Sequence, residues 1–338
     1  MNNKNILVSA IVSTYNSELF IRGKIEDLLA QTIVESLEII IINSGSQQNE
    51  DAIIKEYMNK YSNIKYIKTD ERETIYKAWN RGIKIAQGKF ITNANTDDRL
   101  KNDAYEVLSS YLIENPKVGL VYANQYISKI SNESFNEASK NKIIQFPDYN
   151  KILLLDKCII GSQPMWRSKI HFEDNIWFCP QFEVCGDHDF ENKVAEKYKI
   201  HHLHYTLGTF YKSSTYSNKL FENAERNRYE TQIIHKIYVN KFLSNLDNKQ
   251  LKLLRHSFFF NLKIPFLFYI ILIRLERLIL RDFYPKIFMH SVEFVYYFNI
   301  ILLNRMDSDE KVKKLCRKYL RYKNSELIEQ LCKDCKKE

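Results

Sequence analysis

Glycine and proline are scarce in this 338-residue chain, which has 8 Gly and 6 Pro. That excludes collagen-like and low-complexity sequence. With 45% apolar residues, 22 Tyr and 20 Phe, the chain can bury a core for one large domain or a domain with an appendage. Cysteine is sparse too. The six lie at 158, 179, 185, 316, 332 and 335, irregularly placed, unlike the dense spacing of a short disulfide scaffold. The most apolar stretches of the second half, Ile264–Ile273 and Phe294–Asn304, are about ten residues each, against roughly 20 for a membrane-spanning helix. The run Ile6–Val12 passes into Ser13-Thr14-Tyr15-Asn16 with no small-residue cleavage site, so no signal peptide and a cytoplasmic location are expected. GxGxxG and GxxxxGK[ST] are both missing, which removes the central features of dinucleotide dehydrogenases and P-loop enzymes.

The charge is uneven. Residues 251–338 hold 18 Lys and Arg against 10 Asp and Glu, while residues 1–250 hold 32 against 31. A nearly neutral body gives nucleic acid no electrostatic footprint. The basic tail, with Arg274, Arg277, Arg281, Lys286 and Arg305 flanking short apolar runs, suits a helix lying on an anionic membrane surface. It equally suits a helical subdomain with a solvated basic face.

Strand-like and helix-like segments alternate over the first 125 residues. Ile6–Ser13 and Leu37–Ile42 are β-branched and apolar, as strands buried on both faces are. Ser17–Gln31, Ala52–Tyr61 and Thr74–Ala86 read as helices, and Ile64–Ile67 and Lys89–Thr92 as further strands. Repeated βα units imply a mainly parallel central sheet with flanking helices, with ligands at the carboxyl ends of its strands. Polar clusters fall at three such ends: Ser13–Asn16, Asn43–Ser46 and Asn95–Asp98. Each alone is an ordinary turn; together they line one cleft. The adjacent acids Asp97 and Asp98 can hold a divalent cation through hard oxygen ligands and leave room for phosphates, or can simply cap a turn.

The blocks VSAIVSTYN, EIIIINSGS, IYKAWNRGI and GKFITNANTDD, in that order, resemble family 2 of the glycosyltransferases, over roughly residues 5–215. The resemblance implies the nucleotide-diphospho-sugar transferase fold known as GT-A, a nucleoside-diphosphate sugar donor (a UDP-sugar), Mn²⁺ or Mg²⁺, and inverting transfer to a hydroxyl of a glycan or lipid-linked glycan in surface-polysaccharide assembly such as capsule or lipooligosaccharide. By that likeness Ser13, Tyr15, Asn43 and Ser44 border the base, and Asn80, Arg81 and Asn95 face the donor. Asp97 meets the ribose or diphosphate side and joins Asp98 at the metal. Two positions depart from the family pattern: Asn43-Ser44 stands where Asp-Asp is common, and Asn95 replaces the first acid of Asp-x-Asp-Asp.

The same likeness assigns Cys185-Gly186-Asp187-His188-Asp189-Phe190-Glu191 to the acceptor side, with Asp187 as general base and Asp189 as the alternate. One carboxylate must take the acceptor's proton as its oxygen attacks the anomeric carbon. Acids opening a helix are also favoured by the macrodipole alone. Trp166 and Arg167 are expected to shape the acceptor pocket, by sugar stacking and by holding an anionic group, and Lys212 to meet the diphosphate. This organisation divides the chain into a transferase domain at 1–220, with a nucleotide-sugar half (1–125) and an acceptor half (126–220), and a basic helical region at 221–338. A nucleotidyltransferase of related architecture and a non-catalytic sugar-nucleotide-binding module are the alternatives. Cys332-Lys333-Asp334-Cys335 lacks a second pair for zinc. His201, His202 and His204 cluster on an expected strand, with nothing in the sequence to complete a metal site.

Overall fold

In the computed structural model, residues 5–140, 142–212, 226–227, 229–234 and 237–238 are described. The elements run β1 (Val8–Thr14), α1 (Glu18–Leu29), β2 (Leu37–Ser44), α2 (Glu50–Met58), β3 (Ile64–Thr69), α3 (Ile75–Lys84), β4 (Phe90–Asn93), β5 (Arg99–Leu100), α4 (Ala104–Glu114), β6 (Val118–Ser128), β7 (Ile143–Ile144), α5 (Lys151–Asp156), β8 (Met165–Arg167), α6 (Lys169–Phe172), α7 (Gly186–Lys197) and β9 (Lys199–Tyr211). Two compact units are present. The first takes in residues to Asn150 and Cys158–Thr231; the second takes in Lys151–Lys157 and the chain from Gln232. Of the second, the structure describes α5 and a few helical residues near 232–238. The basic segment 251–338 lies outside the described residues. Among those described, no helix is long and apolar enough to cross a membrane.

The first unit is built on one mixed sheet with strand order β3-β2-β1-β4-β8-β6-β9-β5, and β7 pairs with β6. β3, β2, β1 and β4 are mutually parallel, as the βα repetition requires. β8 then enters antiparallel between β4 and β6. The sheet is therefore mixed, and its parallel character is confined to the first four strands and the β6–β9 pair.

Side-chain parity explains the layers. Ile39 and Ile41 of β2, with Val8, Ala10 and Val12 of β1, face Ile21, Ile25 and Leu28 of α1 and Ile54 and Tyr57 of α2 in one core cluster. The alternate residues Ile11, Ile40 and Ile42 meet α3 on the opposite face, where a Cβ on Gly82 would lie 2.7 Å from Ile11 Cγ2. Only glycine lets α3 approach so closely. Each of these fully buried isoleucines is worth about 1.5–3 kcal/mol, so both faces of β2 contribute. α3 starts at Thr74, whose hydroxyl accepts the Lys77 N–H at 3.3 Å as an N-cap. Its far end is tied down by the buried Glu38, which accepts from Ser9 Oγ (2.5 Å) and the Gln87 N–H (2.6 Å) and pairs with Lys65 (2.6 Å).

Candidate active site

The carboxyl ends of β1, β2 and β4 lie along one edge because these strands run parallel, and their following turns share one internal anchor. Glu50, fully buried at the start of α2, accepts from the Ser17 N–H (2.5 Å) and Ser46 Oγ (2.5 Å), with Thr14 Oγ1 at 3.5 Å. The β1–α1 and β2–α2 turns are thus tied to one carboxylate, which the sequence reading did not single out. Gly45 takes φ +63°, and a Cβ there would press on the Glu71 backbone at 2.9 Å.

Within this frame Tyr15 lies under the guanidinium of Arg72, 4.4 Å from ring centroid to Cζ. Ser13 is half-buried at the end of β1. Asn43 is fully buried: its amide donates to Tyr66 Oη (3.1 Å) and its oxygen accepts the Ser46 N–H (2.9 Å). It therefore shapes the turn. Ser44 is also buried, and its hydroxyl has no partner among the described residues.

β4 delivers Asn95, Asp97 and Asp98. Asp98 is 1% exposed. Its Oδ2 accepts from Ser162 Oγ (2.6 Å) and Asn95 Nδ2 (3.4 Å), and its Oδ1 accepts the Tyr211 N–H (3.1 Å). Burial, and then the neighbouring Asp97 charge, push its carboxyl up to about 6; burial also raises Asp97. The Asn95 Oδ1 atom is buried with no partner among the described residues. Two carboxylates and a free amide oxygen are the hard-oxygen set that Mg²⁺ or Mn²⁺ takes, so the residues present fit such an ion. Sequence reasoning missed Lys24. It is fully buried on α1, its ammonium lies 3.7 Å from Asp27, and its proton affinity is lowered chiefly by burial. Asp27, and more weakly Asp98 and Asp97, oppose that lowering, which places this buried amine in the field of the acidic turn.

α7 supplies the second acidic group. A Cβ on Gly186 would lie 2.6 Å from the Tyr76 ring, and the Tyr76 hydroxyl is 2.7 Å from the Val184 carbonyl and 3.3 Å from Asp187 Oδ1. Burial raises the Asp187 carboxyl, while the His188 N–H and Tyr76 work against that rise. Asp189 is buried and ion-paired with Lys193 at 2.7 Å. The turn entering α7 is held by Glu230, another group the sequence did not reveal. Its carboxylate accepts the N–H groups of Glu183 (2.9 Å), Val184 (2.9 Å) and Cys185 (2.8 Å), and pairs with Arg226 (2.7 Å).

Other expected site residues take structural duties. The Asn80 amide bridges the Phe178 backbone, donating at 2.8 Å and accepting at 3.3 Å. Arg81 forms a fork with Glu73 at 3.0 and 2.6 Å. The structure does not bring Trp166 or Arg167 to the acceptor pocket. Trp166 is 1% exposed, donates to His171 Nε2 (2.7 Å) and packs edge-on against Phe178 and Phe190. Arg167 pairs with Phe90, the first residue of β4, and donates to the carbonyls of Val118 (2.7 Å) and Asn115 (3.0 Å), at the end of the sheet opposite Asp98. A short antiparallel strand buried among helices needs a large apolar residue and a satisfied cation there. Lys212 is exposed, its N–H bonded to the Ser128 carbonyl (2.8 Å).

The profile of glycosyl transferase family 2 matches residues 9–172, from β1 through the acidic turn to α6. Residues 9–172 belong to that family. An uncharacterised glycosyltransferase of Methanocaldococcus jannaschii is 24% identical over 223 residues, 62% of this chain and 77% of that protein. The minor teichoic acid biosynthesis protein GgaB of Bacillus subtilis is 34% identical over 118 residues, which is 34% of this chain and only 13% of GgaB. Among solved structures, S. aureus TarS 1–349 in complex with UDP superposes with a TM-score of 0.53 at 17% identity, covering 89% of this chain and 92% of that one. The mannosyltransferase PcManGT of Pyrobaculum calidifontis, in complex with GDP-Man and Mn²⁺, superposes at 0.50 with 13% identity, covering 89% and 88%. The structural likenesses establish a GT-A-like fold, and the family 2 match lies over residues 9–172.

Proposed function

We propose that the chain is a metal-dependent, inverting glycosyltransferase that moves a sugar from a UDP-sugar to a hydroxyl of a glycan or lipid-linked glycan. The observation that carries this reading is the buried Asp98 carboxylate at the end of β4, beside Asp97 and the partnerless Asn95 oxygen. A Mn²⁺ or Mg²⁺ ion there supplies Lewis-acid stabilisation of the charge growing on the departing diphosphate. Tyr15 and Arg72 offer a stacked aromatic–guanidinium face beside the nucleotide base, and UDP is the nucleotide bound in the TarS complex.

Asp187 acts as the base. Burial raises its carboxyl above the ordinary carboxylate range, which strengthens it as a proton acceptor. Asp189 is the weaker candidate because Lys193 already neutralises it. Tyr76 and the Glu230-clamped turn orient Asp187, and a single base is enough because a diphosphate needs no protein acid to leave. The relative in teichoic acid biosynthesis favours a surface-polysaccharide acceptor, and the excess of Lys and Arg over residues 251–338 favours docking on an anionic membrane surface.

Calorimetric titration of UDP with and without Mn²⁺, on wild type and Asp98→Ala, tests the reading. The expected result is Mn²⁺-dependent binding that the substitution abolishes. UDP binding that ignores both metal and substitution would favour a non-catalytic module, and pyrophosphate release from UTP and a sugar phosphate would favour a nucleotidyltransferase.

A further inference from the structure

His202 and His204 of β9 meet Asp148, which lies in the loop preceding α5 and within the same compact unit. One ligand atom from each residue lies within 4.8 Å of the others. Asp148 Oδ1 is 3.2 Å from His202 Nδ1 and 3.2 Å from His204 Nε2. We propose that these three side chains form a second metal site, separate from the donor site, for a borderline first-row cation of the Zn²⁺ class.

The protonation pattern is the first argument. Asn124 Oδ1 accepts the Phe146 N–H at 3.0 Å, which fixes the orientation of that amide. The same oxygen is 2.8 Å from His202 Nε2, so Nε2 must be the donor. In a neutral imidazole that leaves a lone pair on Nδ1, and it points at the Asp148 carboxylate oxygen. Two lone pairs facing each other require a cation between them, either a proton or a metal ion. A histidine whose far N–H is held by an amide or carboxylate oxygen is the usual arrangement of a metal ligand.

Distance is the second. Two atoms each about 2.0–2.1 Å from a tetrahedral zinc ion stand roughly 3.3–3.4 Å apart. The two 3.2 Å separations are close to that value, and at the long limit of an N–H···O hydrogen bond. Three protein ligands leave a fourth position for water, and the exposed sides of Asp148 and His204 open it to solvent.

The backbone is arranged to bring the ligands together. Both neighbours preceding Asp148 are pinned to β6: Phe146 through Asn124, and Pro147 through its carbonyl, which accepts from Tyr122 Oη at 2.6 Å. The Tyr122 ring also stacks on His202 at 4.9 Å. β9 departs from regular register here, because Ala123 faces Leu203 while the next residue, Asn124, faces Thr206. His204 therefore sits in a bulge, a device that re-aims a side chain. An ion at this place clips the 146–149 loop to β9. The Phe146 ring in turn abuts Gly161, the residue before the Asp98 partner Ser162. The ligands Asp148, His202 and His204 include none of Asn95, Asp97 and Asp98, so the two metal positions share no ligand.

The test uses the full chain, stripped with chelator and redialysed, and titrated with Zn²⁺ and separately with Co²⁺. One Zn²⁺ per chain is expected, with the intense visible bands of four-coordinate Co²⁺. His204→Ala and Asp148→Ala, both at exposed positions, should abolish uptake and the bands, whereas Asp98→Ala should keep both. Asn124→Ala should weaken Zn²⁺ binding by about 10- to 100-fold through loss of the orienting hydrogen bond. No uptake by the wild type would make the contact a protonated histidine hydrogen bond and overturn the proposal. Uptake unchanged by His204→Ala and Asp148→Ala, or abolished by Cys332→Ser, would assign the ion elsewhere and overturn it equally.

Discussion

Replacing Asp98 by Asn should stabilise the metal-free protein while removing its donor-binding function. Asp98 is 1% exposed, and burial with the adjacent Asp97 charge lifts its carboxyl from the ordinary 3.8 to about 6. At roughly 1.4 kcal/mol per pH unit that gap corresponds to at most about 3 kcal/mol. The folded chain holds this proton more tightly than the unfolded chain does. Its stabilising contribution is therefore complete below about pH 3.8 and is lost as pH rises through about 6. At pH 7.5 the wild type bears the full cost of an ionised, buried carboxylate and Asp98→Asn does not. The amide can still accept the Tyr211 N–H, and its NH₂ can donate to Ser162 once that hydroxyl turns round. For a domain near 200 residues, about 3 kcal/mol raises the melting temperature by up to about 10 °C. Scanning calorimetry of both proteins from pH 4 to 8 should show this gap open at pH 7.5 and closing toward pH 4. Added Mn²⁺ should raise the wild-type transition and leave that of Asp98→Asn in place. A variant that melts at or below wild type at pH 7.5, or a gap that ignores pH, would refute the reasoning.

Two further outcomes are expected. Asp187→Asn should lower kcat by about 10²–10⁴-fold with UDP affinity unchanged in calorimetry, and Asp189→Asn should affect turnover less; the reverse ranking in a donor-consumption assay would exchange their roles. Glu230→Gln should destabilise the first unit by about 2–4 kcal/mol, because one amide oxygen cannot accept three backbone N–H groups and each unsatisfied group costs about 1–3 kcal/mol; an unchanged denaturation midpoint would remove Glu230 from its clamping role.

The first ninety residues were legible because buried parallel strands are written as continuous β-branched runs. The strand read over Leu37–Ile42 was recognisable for that reason and runs to Ser44, and the helix read over Thr74–Ala86 is there as α3, with Thr74 as its cap. β8 was not legible: three residues, Met165–Arg167, carry no period, and their antiparallel insertion beside β4 depends on contacts far away in sequence. That is why Trp166 and Arg167 were expected at the pocket and instead fill the interior. Asp97 and Asp98 could be read because they are adjacent and follow a strand. Lys24, Glu50 and Glu230 could not, since each is a single charged residue on a helix whose role exists only once distant turns converge on it. The histidines of β9 were visible as a cluster, but their carboxylate partner lies more than fifty positions earlier.

The strand order has a consequence for biosynthesis. Two of the three hydrogen-bond partners of Asp98 lie 64 and 113 residues downstream, at Ser162 and Tyr211. A ribosome adding about 5–20 residues per second needs roughly 6–20 s to travel from Asp98 to Tyr211. Throughout that interval the emerging chain carries the acidic turn but not the full set of groups that hold it. On the proposed reading, donor binding therefore waits for β9, the strand whose Tyr211 N–H closes on the acidic turn.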